Sequence, residues 1–439
     1  MLGLLGKGST YCDGVSRRNF LGAGVLGLSG LTLAEVLRGR ALAGENRQAN
    51  TSVIFVELAG GPTQFETYDP KPTAPAEYRG PLSAIATNLP GVMFSQYMAE
   101  QAKIADRLTV VRSIRHNSSS HDPSSHLTQT GYYKTGQKGG ENQMPSIGAV
   151  AAKFRGPNHV AMPAYVAVPQ VMRNGGAAQL GLACAPFQTG GDPNSNKFQV
   201  MNLGTLESLT ADRLGNRSQL LAQLDARREL NDLNGSATAV DQFTQKAFDL
   251  VTGSQARLAF DIAEESDSIR DAYGRTTVGQ SMLLARRLVE AGVTCVTVRV
   301  TGWDDHSNIA KAMATKGPAY DQGLAALVRD LGDRGLEQDV LVVAMGEFGR
   351  TPKINKNAGR DHWGSLMSVL LAGGRLQRGV FGESNSKGEV PANMPYRPEN
   401  VLATIYHHLG IDPSQTFTDL SGRPRYVLEE REVIREIMA

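Results

Sequence analysis

Residues 341–363 read L-V-V-A-M-G-E-F-G-R-T-P-K-I-N-K-N-A-G-R-D-H-W. The stretch opens as a buried strand, Leu341 to Ala344, and turns abruptly polar. Glu347, Arg350, Arg360, Asp361 and His362 then follow in a loop rich in Gly, Asn and Pro. Upstream the same event occurs: the apolar run Val293–Val300 breaks into G-W-D-D-H-S-N, Gly302 to Asn308. In α/β proteins, side chains at the carboxyl end of a strand face the crevice where ligands bind. Two such strand ends, delivering carboxylates and two histidines, predict a site on one edge of a parallel sheet.

The flanking chain supplies the rest of that sheet. Thr51–Leu58 (T-S-V-I-F-V-E-L) is a β-branched run that reads as a central parallel strand. It ends in Ala59-Gly60-Gly61-Pro62-Thr63, a tight turn that admits close approach of a ligand to the backbone. Leu108–Ile114, Pro163–Pro169 and Leu366–Leu371 read as further strands. Amphipathic helices are expected over Val278–Ala291, closed by Gly292, over Tyr320–Leu331 and over Glu399–Leu409. Strands alternating with helices predict an α/β fold, three-layer α/β/α, around a largely parallel central sheet. Residues 206–271 are helical in pattern, polar, and rich in Leu, Ala, Gln, Arg and Asp; they read as an insert carrying no chemistry. No repeat or long linker divides the chain, so residues 44–439 are expected to form one domain.

Residues 1–43 read as a leader. Ser16-Arg17-Arg18-Asn19-Phe20-Leu21 precedes a mildly apolar, Gly-rich run of about 13 residues, too short for a membrane span of roughly 20. Paired arginines in that position are the mark of a twin-arginine export signal, and Ala41-Leu42-Ala43 fits a small-x-small cleavage site. The expected partner is the twin-arginine export machinery, and the expected location periplasmic or otherwise exported, without stable membrane insertion. The whole chain carries 45 basic against 43 acidic residues, which excludes a nucleic-acid footprint. The three cysteines have no metal-knuckle spacing; a Cys184–Cys295 bridge stays open, as does Cys295 being a small buried hydrophobe.

The chemistry concentrates at the strand ends. In an extended loop, alternate side chains point the same way, so Asp304 and His306 can reach one ion. Asp361-His362 supplies a second pair and Glu347 a third carboxylate. Mixed oxygen and nitrogen donors suit a divalent metal such as zinc, manganese or iron. After Leu108–Ile114 comes R-H-N-S-S-S-H-D-P-S-S-H, which places His116, His121 and His126 within one loop together with hydroxyls such as Ser120. Arg350 and Arg360 stand as candidate clamps for an anionic ester substrate, sulfated or phosphorylated. Each can equally pair with Glu347 or Asp361.

These motifs together, with A-G-G-P-T-Q-F-E-T-Y-D-P-K-P and the twin-arginine leader, resemble the bacterial domain-of-unknown-function 1501 family. That family is placed in the alkaline phosphatase-like superfamily, beside sulfatases and metal-dependent phosphoglycerate mutases. The resemblance implies metals at the strand ends, with Asp304, His306 and His362 as ligands. It also shows departures. The superfamily's Asp-His pair falls at Glu347-Phe348, so the histidine is replaced. Its first-strand aspartate falls near Gly60-Gly61, leaving Glu57 or Asp69 as substitutes. Its nucleophile falls near His121, with Ser120 and Asp122 beside it. The implied activity is an exported metal-dependent phosphatase- or sulfatase-like hydrolase with a modified site, in which His121, Glu347 and Arg350 serve catalysis, Glu347 also counts among the metal ligands, and Ser120 and Arg360 contact substrate. The rival expectation is a non-catalytic binding or scaffold protein that keeps the fold.

Overall fold

The computed structural model describes residues 50–135, 142–200, 254–419 and 421–439. The leader, and most of the insert expected over residues 206–271, lie outside the described residues. The central sheet has eight strands: β1 (Ser52–Leu58), β2 (Leu108–Ile114), β3 (Tyr165–Val168), β4 (Phe187–Gln188), β5 (Cys295–Val300), β6 (Val340–Met345), β9 (Met367–Gly373) and β10 (Gly379–Phe381). A separate two-residue ladder pairs β7 (Gly349–Arg350) with β8 (His362–Trp363). Across the sheet the order is β10-β2-β9-β6-β1-β5-β3-β4. All pairings are parallel except those of β9, which runs antiparallel to both β2 and β6.

The alternation of β1 explains the layers. Ile54, Val56 and Leu58 face one apolar core, and Val53 and Phe55 face another. Helices α3 (Thr277–Glu290) and α4 (Ile309–Asp333) cover the first face through residues such as Leu283 and Leu324. Helices α2 (Ile147–Phe154) and α5 (Pro398–Leu409) cover the second through Val150 and Tyr406. Because β1 is buried on both faces, it is apolar without a break from Val53 to Val56, as expected of a central parallel strand.

One expectation is corrected and one open alternative is settled. The helix expected over Tyr320–Leu331 begins at Ile309, with Pro318 inside it and Asn308 capping it through Lys311 N at 3.3 Å. The Cys184–Cys295 bridge does not form: Cys295 is a buried thiol inside β5, its pKa pushed up to about 12 by burial.

Candidate metal centre

Strands β1, β2, β5 and β6 end on one edge of the sheet, and the segments that follow them meet there. The contact depends on glycine. A Cβ on Gly60 would lie 2.5 Å from Asp304 N, and the residue sits at φ +121, where side chains are rarely tolerated. With no Cβ in the way, Gly60 N–H donates to both carboxylate oxygens of Glu347, at 3.1 and 3.0 Å. Trp303 is wholly buried and meets Tyr320 edge-on, which anchors the loop that carries Asp304 and His306.

His121 opens helix α1 (His121–Thr130), the segment after β2. Its Nε2 lies 3.2 Å from Asp304 Oδ2. His306 Nε2 and His362 Nε2 lie 3.0 and 3.1 Å from Asp304 Oδ1, and 2.9 Å from each other. Among the described residues, His121, Asp304 and His362 place their ligand atoms within 4.8 Å of one another.

The far nitrogen of each ring has its own partner. His121 Nδ1 contacts Glu347 Oε1 at 2.7 Å, His306 Nδ1 contacts Asp361 Oδ1 at 2.7 Å, and His362 Nδ1 contacts the Ser119 carbonyl at 3.0 Å. Each of those partners is an acceptor, and so is Asp304 on the inner side. A ring whose single proton sits on Nδ1 turns its Nε2 lone pair toward Asp304. Outer partners of this kind are typical of a metal-binding histidine. With zinc–nitrogen bonds of 2.0–2.1 Å, tetrahedral ligand atoms stand about 3.3 Å apart, close to the spacings found here. The donor set fits a divalent ion.

Electrostatics agree with the geometry. Burial works against the charge on Asp304, but Arg350 Nη2 at 2.6 Å and His362 more than offset it, holding the carboxyl well below its usual range. The hydrogen bond to Glu347 raises His121, against burial. Burial lowers His362, partly opposed by Asp304 and Ser119. His116 is buried and pushed down to about 4; its Nδ1 accepts from Ser118 N, so its Nε2 donates to the Glu347 carbonyl at 2.8 Å. It positions the loop and does not join the centre.

The structure separates the other candidates. Arg360 is wholly buried and gives its donors to Glu66, at 2.9 to 3.1 Å, and to the carbonyls of Thr351, Pro352 and Tyr78. It has none left for a substrate, which corrects the expectation of a clamp. Arg350 is equally buried; it serves the carbonyls of Gly60, Gly61, Trp303 and Arg360 and reaches only Asp304 among the carboxylates. Glu347 stands behind His121 with both oxygens engaged. Ser120 precedes α1 and makes no side-chain cap. His126 turns to the Tyr132 carbonyl, Glu57 pairs with Arg299, and Asp69 pairs with Lys71. Phe348, wholly buried, lays its ring 4.5 Å from that of His362 and 5.1 Å from that of His121.

Two contributors had no signal in the sequence. The Ser119 group is a main-chain carbonyl, which any residue could supply. Asn355 donates to both Asp361 Oδ1 and the His306 carbonyl at 3.1 Å, and nothing in its local pattern marks it.

A family model described as a protein of unknown function, DUF1501, matches residues 50–438. No curated protein matches the chain. Among solved structures, Ps i-CgsB is 12% identical over 82% of this chain and 72% of that one, with a TM-score of 0.40. The PsFucS1 sulfatase from Pseudoalteromonas sp. is 12% identical over 85% and 70%, with a TM-score of 0.38. The alkaline phosphatase from the Antarctic bacterium TAB5 is 8% identical over 82% and 98%, with a TM-score of 0.35. Scores this low carry no argument about the site.

Proposed function

The chain belongs to the DUF1501 family of proteins of unknown function, and from that premise we propose that it is an exported, metal-dependent hydrolase of phosphate or sulfate esters. One observation carries the reading: three imidazole Nε2 atoms converge on Asp304 while each Nδ1 is held by an acceptor. Uncharged, such a cluster sets lone pairs against a carboxylate, and a cation relieves it. His121, Asp304, His306 and His362 would hold the ion, and zinc, manganese or iron suits the donor set. Bound there, it would lower the pKa of water and polarise an ester oxygen.

The chain's own residues do the rest. Glu347 fixes the tautomer and direction of His121, and Asp361 does the same for His306. Arg350 holds Asp304 in place from the buried side. Phe348 makes one wall apolar and keeps water from the rings it touches. The side chains of Asp304 and His306 are 44% and 45% exposed, so the centre is open to a ligand. The ester class rests on the resemblance of the motifs to the phosphatase and sulfatase superfamily. Export rests on Arg17 and Arg18; among the described residues no helix is long and apolar enough to cross a membrane.

The test is elemental analysis of the mature protein purified without chelator or affinity metal, followed by panels of aryl phosphates and sulfates. About one equivalent of zinc, manganese or iron, lost in His306→Ala and His362→Ala together with any esterase activity, is expected. Full occupancy in the double variant would end the metal reading. The wall built by Phe348, where the resemblance calls for a histidine, favours the scaffold alternative, and metal-free protein after refolding with each ion would make that the better account.

A further inference from the structure

Gly317 and Pro318 stand side by side inside α4. A Cβ on Gly317 would lie 2.8 Å from Tyr97 Cβ, so glycine lets the Gln96–Tyr97 segment close against the helix. Asp321, one turn on, holds that segment in place: its carboxylate accepts from Glu100 N at 2.7 Å and from Gln101 N at 2.9 Å. Beside these contacts lies a cavity of about 380 Å³, lined also by Gln322, Arg329 and Ala272. Small-molecule sites hold roughly 300–1,000 Å³. A second cavity, also of about 380 Å³, shares Arg329 with the first and ends at Asp333 of the same helix. Pro318 to Asp333 covers roughly 22 Å of helix, room for a chain of linked rings. Neither cavity includes a residue of the metal centre.

The lining decides the class of ligand. Both carboxylates of the first cavity are already matched, Asp321 by two main-chain N–H groups and Glu100 by Lys103 and by Arg329 Nη2 at 3.2 Å. A cation finds no carboxylate waiting there, and an anion meets two. What is left over is neutral and mixed. Ser83 N donates to Gln96 Oε1 at 2.9 Å, which leaves the Gln96 amino group as a donor. Gln322 Nε2 donates to the carbonyls of Asp271 and Ala272, at 3.0 and 3.3 Å, which leaves Gln322 Oε1 as an acceptor. Those two amide ends and the Tyr97 hydroxyl have no partner among the described residues. Donors and acceptors set side by side suit hydroxyls, which do both. The partly exposed Tyr97 adds an aromatic face, which suits the apolar C–H face of a sugar ring.

We propose that this groove along α4 binds a neutral oligosaccharide, one sugar ring lying against Tyr97 with its hydroxyls taken by Gln96 and Gln322. The site is separate from the metal centre, and the proposal stands whether or not the chain is a hydrolase.

The experiment is calorimetric titration of the mature protein with neutral tetrasaccharides of glucose, of galactose and of mannose, each repeated by saturation-transfer NMR. At least one should bind. Tyr97→Ala should weaken that binding about tenfold, and Tyr97→Phe, which keeps the ring, should lose less. Ala272→Phe puts bulk into the cavity from an exposed position; it should block binding with the melting temperature unchanged, and it stays decisive should Tyr97→Ala fail to fold. His362→Ala should bind the sugar as the parent does. A parent that binds none of the three sugars overturns the proposal. Binding that survives both Tyr97→Ala and Ala272→Phe also overturns it, as does binding lost in His362→Ala, which would put the sugar at the metal centre.

Discussion

One stretch, residues 347–363, contributes to two collections of charge that end in opposite states. Arg360 and Glu66 form a closed one. Both side chains are buried, each donor and acceptor is matched, and the guanidinium lies 4.0 Å from the Phe65 ring. The cluster at Asp304 is open. Its outer nitrogens are satisfied, two of its inner ones, on His306 and His362, face each other at 2.9 Å, and its rim reaches solvent. A count of charged residues ranks the two alike. What separates scaffold from site is saturation: a network with every valence used can only hold the fold, whereas converging lone pairs await a partner.

The comparison breaks first at the closed network. Arg360→Ala leaves the Glu66 carboxylate buried without its cation, and the expected loss is about 3–5 kcal/mol. Urea denaturation with and without zinc should give the same loss in both conditions. A loss below about 1 kcal/mol would place Arg360 among the ordinary surface pairs. At the open cluster the pattern reverses. His362→Ala should leave the metal-free protein within about 1 kcal/mol of the parent, because the ring is 20% exposed and its removal relieves the crowding of Nε2 atoms around Asp304. The parent should gain about 2.7 kcal/mol at zinc concentrations a hundredfold above its dissociation constant. Thermal melts of the variant should show that gain lost.

Phe348 belongs to both regions, since it is buried like the first and touches the rings of the second. Gly61 makes room for it: a Cβ there would lie 2.5 Å from the Phe348 ring, at φ +86. Gly61→Ala should therefore cost roughly 1–3 kcal/mol in strain and also weaken zinc binding by tilting His121 and His362. Melts with and without zinc separate the two parts. Destabilisation with unchanged zinc affinity would assign the wall to the scaffold alone.

The sheet was legible because its signals are local. Val293–Val300 and Leu341–Ala344 announce buried strands by β-branched runs, and the Gly and Asn residues after them announce where the edge lies. The same locality made Asp304, His306 and His362 visible as a converging set. Arg360 was not readable, because its partner Glu66 stands 294 residues away and nothing in either neighbourhood names the other. Helix α4 is longer than the apolar pattern over Tyr320–Leu331 shows, because the chain carries the helix through Pro318.

The finest test concerns how far the open cluster extends. Asn355 uses both ends of its amide: Oδ1 accepts from Asn357 N at 2.9 Å and Gly359 N at 3.0 Å, and Nδ2 donates to Asp361 and the His306 carbonyl. The first pair shapes the loop, and the second fixes the carboxylate that orients His306. Asn355→Asp keeps the acceptor and removes the donor, so it leaves the loop bonds available while setting a second carboxylate against Asp361. Removing an outer partner of a metal ligand typically costs about 10–100-fold in affinity, and the lower end is expected here because Asp361 keeps its direct contact with His306. Competition with a zinc-sensitive dye measures it. A normal melting temperature with weaker zinc binding extends the open cluster outward to Asn355. Unchanged zinc binding would return Asn355 to the closed scaffold and leave Asp361 as the outermost residue that the ion can feel.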